Sequence, residues 1–167
     1  MSEQTNELEV ILDASGNALP ESILDLQAFL DNSPLFAALD PDARRALAQT
    51  ASLKALPAGE VYIREGTRGD TFAIIKRGRL AVDATFAGQT RRLAVLGPGS
   101  VVGEVAVLMG TPRTATVTAE VDTELFEFHH DDVAPLFEQF PDLRGRLTQL
   151  VESRSDETIR VFLGKSQ

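Results

Sequence analysis

Between Pro57 and Gly103, glycine or proline recurs so densely that no uninterrupted stretch exceeds nine residues. Such punctuation leaves no room for helices of ordinary length and admits short strands joined by turns. The intervening segments carry the matching period. Val61 and Ile63, Phe72 and Ile74, and Leu80, Val82, Ala84 and Phe86 recur at alternate positions, as a strand with one buried face requires. Leu80–Phe86 and Arg91–Leu96 flank Ala87-Gly88, which predicts a hairpin turn. Thr114–Ala119 and Glu124–His129 predict two further strands. Roughly eight short strands in so little chain indicate a small β-sandwich or barrel.

Helical spacing appears on either side. Ile23, Leu26 and Leu30 fit one helix face; Asp40 reads as an N-cap with Pro41 at the first helical position, and Leu47 and Ala51 continue that helix's apolar side. Ser33-Pro34-Leu35-Phe36 separates the two helices. After the strands, Val133, Leu136, Phe137 and Phe140 return to helical spacing, Pro141 breaks it, and Leu143, Leu147, Leu150 and Val151 form the face of a last helix running on toward Phe162. Asp131 or Asp132 is expected to cap the first of these. Leu143, Leu147 and Leu150 continue at seam spacing to Arg154, Glu157 and Val161. Charges on that seam favour packing on the strands, with a monomer or weak homodimer expected.

Charge is distributed unevenly. Residues 1–43 hold nine acids and no Lys or Arg, while the other 16 acids and all 16 bases cancel, so the whole formal charge of −9 sits at the N-terminal end. Residues 1–21 are read as an acidic, largely flexible segment, with a short strand at Leu8–Leu12, serving either as a solubilising extension or as a docking arm. This balance argues against duplex DNA as a partner. No apolar run approaches the roughly 20 residues of a membrane helix, the start MSEQTNELEV is not a secretory signal, and there is no cysteine. A soluble, cytoplasmic protein is expected. His129-His130 are the only histidines. Neighbours on a strand face opposite sides, so they are a poor metal pair, and no catalytic triad is evident.

One block stands apart: GEVAVLMGTPRTATV, residues 103–117, apolar or small but for Glu104 and Arg113, nine positions apart. A helix can begin at Glu104, because Gly103 permits the turn and no breaker follows before Gly110. Unpaired amides at a helix start attract anions, and a guanidinium grips one bidentately. A carboxylate suits a sugar hydroxyl. Together with apolar walls, these groups describe a nucleotide pocket.

The block closely resembles the phosphate-binding cassette of cyclic nucleotide-binding domains, with the spacing of the kinase-regulatory-subunit and ion-channel branches. Gly59-Glu60-Val61, Glu65-Gly66, Gly69-Asp70-Thr71-Phe72, Ile74-Ile75 and Gly78 follow the family's order upstream, and the resemblance covers about Ser33 to Phe162. It implies an α+β fold: an eight-stranded antiparallel β-roll, or jelly roll, flanked by N-terminal helices and by C-terminal helices of the B/C type, with a short helix in the cassette. Residues 22–167 would form the binding domain, divided into N-terminal helices (22–52), roll (53–130) and C-terminal helices (131–163).

By the same resemblance Glu104 accepts from the ribose 2′-OH, Arg113 pairs with the cyclic phosphate, the Ala106 and Thr114 amides meet the phosphate, and Gly103 lies near the sugar. Val102 replaces the usual Phe; Val105 and Ala115 complete the cassette, and Arg154 and Thr158 reach the base from the last helix. Thr114 tends to favour cGMP in the family, whereas Thr158 falls where the catabolite activator branch contacts adenine. The ligand is therefore read as cAMP, with cGMP the alternative, and no metal is implied. The implied role is a non-catalytic regulatory module relaying ligand binding to a protein partner. Two rivals are a degenerate roll, in which Glu104 and Arg113 merely pair and the fold serves as an interaction scaffold, and a metal-dependent cupin enzyme.

Overall fold

The computed structural model describes residues 21–33 and 36–162, with side chains for 26–33 and 36–153. Two helices lead, α1 (Glu21–Asn32) and α2 (Pro41–Thr50). Asp40 caps α2 as its sequence predicts: its carboxylate accepts from the Asp42 N–H at 2.8 Å, with Pro41 at the first helical position. Leu26, Leu30 and Leu47 are fully buried. The acidic segment and its Leu8–Leu12 strand lie outside the described residues, although Glu21, expected at its end, already belongs to α1.

Eight antiparallel strands follow: β1 (Ser52–Leu56), β2 (Val61–Ile63), β3 (Thr71–Arg77), β4 (Leu80–Phe86), β5 (Gln89–Leu96), β6 (Val101–Val102), β7 (Thr116–Ala119) and β8 (Thr123–His129). They form two four-stranded sheets, ordered β1-β8-β3-β6 and β2-β7-β4-β5. The β4–β5 hairpin turns at Ala87 (φ 52°) and Gly88 (φ 78°), two successive left-handed residues as a tight two-residue loop demands. Between β6 and β7 lies the short helix α3 (Glu104–Met109); α4 (His130–Gln139) and α5 (Pro141–Phe162) close the described chain, separated at Pro141.

Two expectations are corrected. β7 begins at Thr116 rather than Thr114, because the Arg113 backbone is bonded to the β2–β3 connection instead of to a strand (below). Neither Asp131 nor Asp132 caps α4. His129 is the N-cap, without a side-chain bond, and both aspartates sit in the first turn, where their charge suits the helix dipole.

Strand β3 separates two apolar bodies. Ala73 and Ile75 face the space between the sheets with Leu56, Ile63, Leu80, Val102, Val117, Ala119 and Leu125. Phe72 and Ile74 face outward into a cluster joined by Leu30 of α1, Leu47 of α2, Val107 of α3, Val133 of α4, and Leu143 and Leu147 of α5. The Phe72 and Phe128 rings stack there, with centroids 4.9 Å apart. The last helix thus spends Leu143 and Leu147 on the core. The rest of its seam, from Arg154 onward, lies outside the described side chains.

Candidate functional site

Helix α3 starts where the backbone turns left-handed at Gly103 (φ 82°). A Cβ at Gly103 would stand 2.9 Å from both Arg113 Nη1 and the Thr71 carbonyl, so the position needs glycine for space as well as for φ. Glu104, the first residue of α3, is 1% exposed, and Arg113 is 6% exposed. Two side chains that carry charge are thereby withdrawn from water at one end of the roll, where their usual solvation is lost.

Arg113 is held at both backbone and side chain. Gly66 N–H donates to its carbonyl and its own N–H donates to Thr67 O, each at 2.8 Å, which sews the residue to the β2–β3 connection. Its Nη1 donates to Gly103 O at 3.0 Å and its Nη2 to Thr71 Oγ1 at 3.1 Å. Gly69 lies against the guanidinium: a Cβ there would be 2.6 Å from Nη2 and 2.8 Å from Cζ. Burial pushes the Arg113 pKa down, and Tyr62, Asp70, Glu104 and Glu127 oppose that shift. The Glu104 carboxylate acts on this cation electrostatically and favours its charged form. A guanidinium has five N–H donors, so three remain that the described residues do not engage.

The remaining candidates fall as follows. Val102 is buried in β6 as part of the inner apolar cluster. Val105 and Ala106 lie on α3, half-buried and buried respectively. Thr114 is exposed and Ala115 half-buried in the link to β7. Arg154 and Thr158 belong to α5, but their side chains lie outside the described residues. The structure thus brings Gly103, Glu104 and Arg113 together.

Sequence reasoning missed the residues behind Arg113: Gly69 as a close-packed plate, and Thr71, Tyr62 and Glu127 as polar neighbours. Tyr62 Oη donates to Glu127 Oε2 at 2.6 Å. Burial first, and then this bond, push the phenol well above its ordinary pKa. Gly69 and Thr71 stood in the Gly69-Asp70-Thr71-Phe72 run without a role, and Tyr62 showed as a polar-tipped ring between the apolar Val61 and Ile63. The histidines separate, His129 lying 3.8 Å from Glu127 and His130 lying 3.4 Å from Asp131. Among the described residues, no group of three or more His, Asp or Glu could hold a metal, and no helix is long and apolar enough to cross a membrane.

Comparison with known proteins places this geometry. The chain is 30% identical to the cyclic AMP receptor protein of Thermus thermophilus over 77% of its own length and 60% of that protein's. It spans 60% or less of the curated relatives it matches. Among solved structures it is similar to the regulatory domain of Toxoplasma gondii PKA crystallised with cAMP, at 30% identity and a TM-score of 0.65 over 72% of this chain and 46% of that one. A cyclic nucleotide-binding domain from Methylobacillus flagellatus shares the fold at 24% identity, with a TM-score of 0.71 over 87% of this chain and 84% of that one. The family profile described as "Cyclic nucleotide-binding domain" matches residues 53–140, from the first strand to the end of α4. The chain belongs to the cyclic nucleotide-binding domain family.

Proposed function

We propose that this chain is a cyclic nucleotide sensor, taking cAMP in preference to cGMP, and that it works by binding rather than by catalysis. The observation that carries the reading is Arg113: a cation 6% exposed, cradled by two glycines, with three N–H donors that the described residues leave unengaged. A buried charge is costly unless a partner of opposite sign meets it. A cyclic phosphate supplies one negative charge on two exocyclic oxygens, which suits the guanidinium fork. Glu104 beside it is an acceptor for the ribose 2′-OH. The Ala106 and Thr114 amides serve the phosphate, Gly103 lets the sugar approach, and Val102, Val105 and Ala115 shape the wall. Relatives described as cAMP receptor and PKA regulatory domain support the nucleotide class.

The base contact falls to α5, through Arg154 and Thr158. Closure of that helix over the base is the step that biases a surface for a protein partner, since a ligand shifts an equilibrium only by contacting two states differently. Residues 22–167 act as the sensor domain and residues 1–21 as an acidic extension, in a cytoplasmic monomer or weak homodimer with no DNA, membrane or metal partner. Isothermal titration with cAMP and cGMP tests this. We expect micromolar or tighter binding of cAMP, weaker binding of cGMP, and a loss of about a hundredfold in Arg113→Ala, as two charge-assisted bonds require. Thr158→Ala is expected to narrow the cAMP/cGMP ratio. Absence of binding, or binding intact in Arg113→Ala, returns the roll to the role of an interaction scaffold.

A further inference from the structure

Strand β2 contains an irregularity that its length conceals. Val61 pairs with Thr118 and Ile63 with Val117, so Tyr62 is an extra residue on its strand. Regular alternation would send Tyr62 and Ile63 to opposite faces. Both instead pack on the inner cluster. A bulge of this kind re-aims a side chain, and here it carries a phenol across the interior to the other sheet. Glu127 receives it. On β8 Glu127 stands opposite Ala73, an inward-facing residue of β3, so its carboxylate lies inside the roll rather than on its surface.

The bonds run in one direction. Arg113 Nη2 donates to Thr71 Oγ1 at 3.1 Å, and Tyr62 Oη donates to Glu127 Oε2 at 2.6 Å. The Thr71 hydroxyl, having accepted from Arg113, has its own proton to give, and Thr71 acts on the Tyr62 phenol by lowering its pKa, as a donor to the phenol oxygen would. Bonds aligned head to tail polarise one another and strengthen as a set. Joined through Tyr62 of β2, the two bonds would lead from the cation of the candidate site to a carboxylate on β8, in the same sheet as Thr71.

We infer that Thr71, Tyr62 and Glu127 form a hydrogen-bonded chain that fixes the orientation of the Arg113 guanidinium toward its anion, an inference that rests on the binding reading above. The three are positioning residues, because they reach the ligand only through Arg113. The chain holds one edge of the fork while Gly103 O holds the other, leaving the unengaged donors with a preset direction. Preorganised donors bind an anion more tightly than the same donors on a mobile side chain.

The test is isothermal titration of the full chain with cAMP, accompanied by thermal melting and by the emission of Tyr62. The sequence holds one tyrosine and no tryptophan, so that emission reports this residue alone. Tyr62→Phe removes only the hydroxyl and is expected to weaken cAMP binding about threefold to tenfold, the value of one net hydrogen bond. Thr71→Val should lose at least as much, and Thr71→Ser, which restores the hydroxyl, should recover to within about twofold. The double variant Tyr62→Phe/Thr71→Val should bind no more weakly than Thr71→Val, because one break already disconnects the chain. Without nucleotide, Arg113→Ala should shift the Tyr62 emission. The inference is overturned if Tyr62→Phe and Thr71→Val bind like the wild type while Arg113→Ala does not, if the two losses add in full, or if the emission ignores Arg113→Ala. A wild type that binds neither nucleotide, yet whose Tyr62 emission responds to Arg113→Ala, sinks the sensor reading and supports the chain.

Discussion

Gly69 and Gly78 are both glycines without which the roll would change, for unrelated reasons. Gly69 has an ordinary backbone and meets only the end of a side chain, the Arg113 guanidinium. Gly69→Ala is therefore expected to displace that group and weaken cAMP binding about tenfold or more, while moving the melting temperature by only a few degrees, since surface substitutions usually cost under about 0.5 kcal/mol. Gly78 has φ 103°, and a Cβ there would stand 2.7 Å from Thr123 Cα, which is backbone and cannot swing away. Gly78→Ala should cost about 2–4 kcal/mol in denaturant unfolding and leave affinity unchanged. Tyr62 adds a pH dependence. Its phenol is held above the ordinary value, so the native state favours the protonated form. The stabilisation is complete below the unfolded value of about 10 and fades as pH rises toward the folded one. Alkaline unfolding curves of Tyr62→Phe should lack that fading component. The charged pair Glu104 and Arg113 was legible in the sequence because two ionisable residues in an apolar block stand out. The roles of Thr71 and Glu127 were not, because Thr71 meets Arg113 and Glu127 meets Tyr62 only once the chain has folded.

At the level of elements, punctuation and period were enough to place most strands and all the C-terminal breaks. Leu80–Phe86 is observed with the expected bounds, and the Ala87-Gly88 turn is where its glycine predicts. The failures have local causes. Thr114 and Ala115 look strand-like, but Arg113 exchanges its backbone bonds with Thr67 and Gly66, and pairing with β2 begins only near Val117. The two-residue β6 and the exposed β1 lack the alternation needed to find them. The β2 bulge leaves no periodic trace, because one extra residue in so short a strand resembles a change of phase. The α2 cap was readable from Asp40-Pro41 alone, and Asp40→Ala is expected to cost about 1 kcal/mol in thermal or denaturant unfolding. Leu147→Ala, on α5, should cost about 2–5 kcal/mol by the same measurement, since the side chain is 1% exposed in the cluster shared by all five helices.

Over the whole molecule, the charge and the apolar bodies are arranged on different lines. Removing residues 1–20 takes away four acids and no base, moving the formal charge from −9 to −5. Stopped-flow association of cAMP, an anion, should then quicken by about twofold at low salt, with the difference fading as the Debye length falls to about 8 Å near physiological ionic strength. The apolar bodies meet at β3, which presents alternate residues to each. Around its rim runs α3, set between two left-handed glycines, Gly103 and Gly110, with Glu104 at the site and Val107 among the helices. Six residues between two left-handed glycines form a short element with a turn at each end. Under the proposed sensor reading, a displacement of Glu104 would be carried by α3 to Val107 and so to the apolar cluster that gathers residues from helices on both sides of the strands.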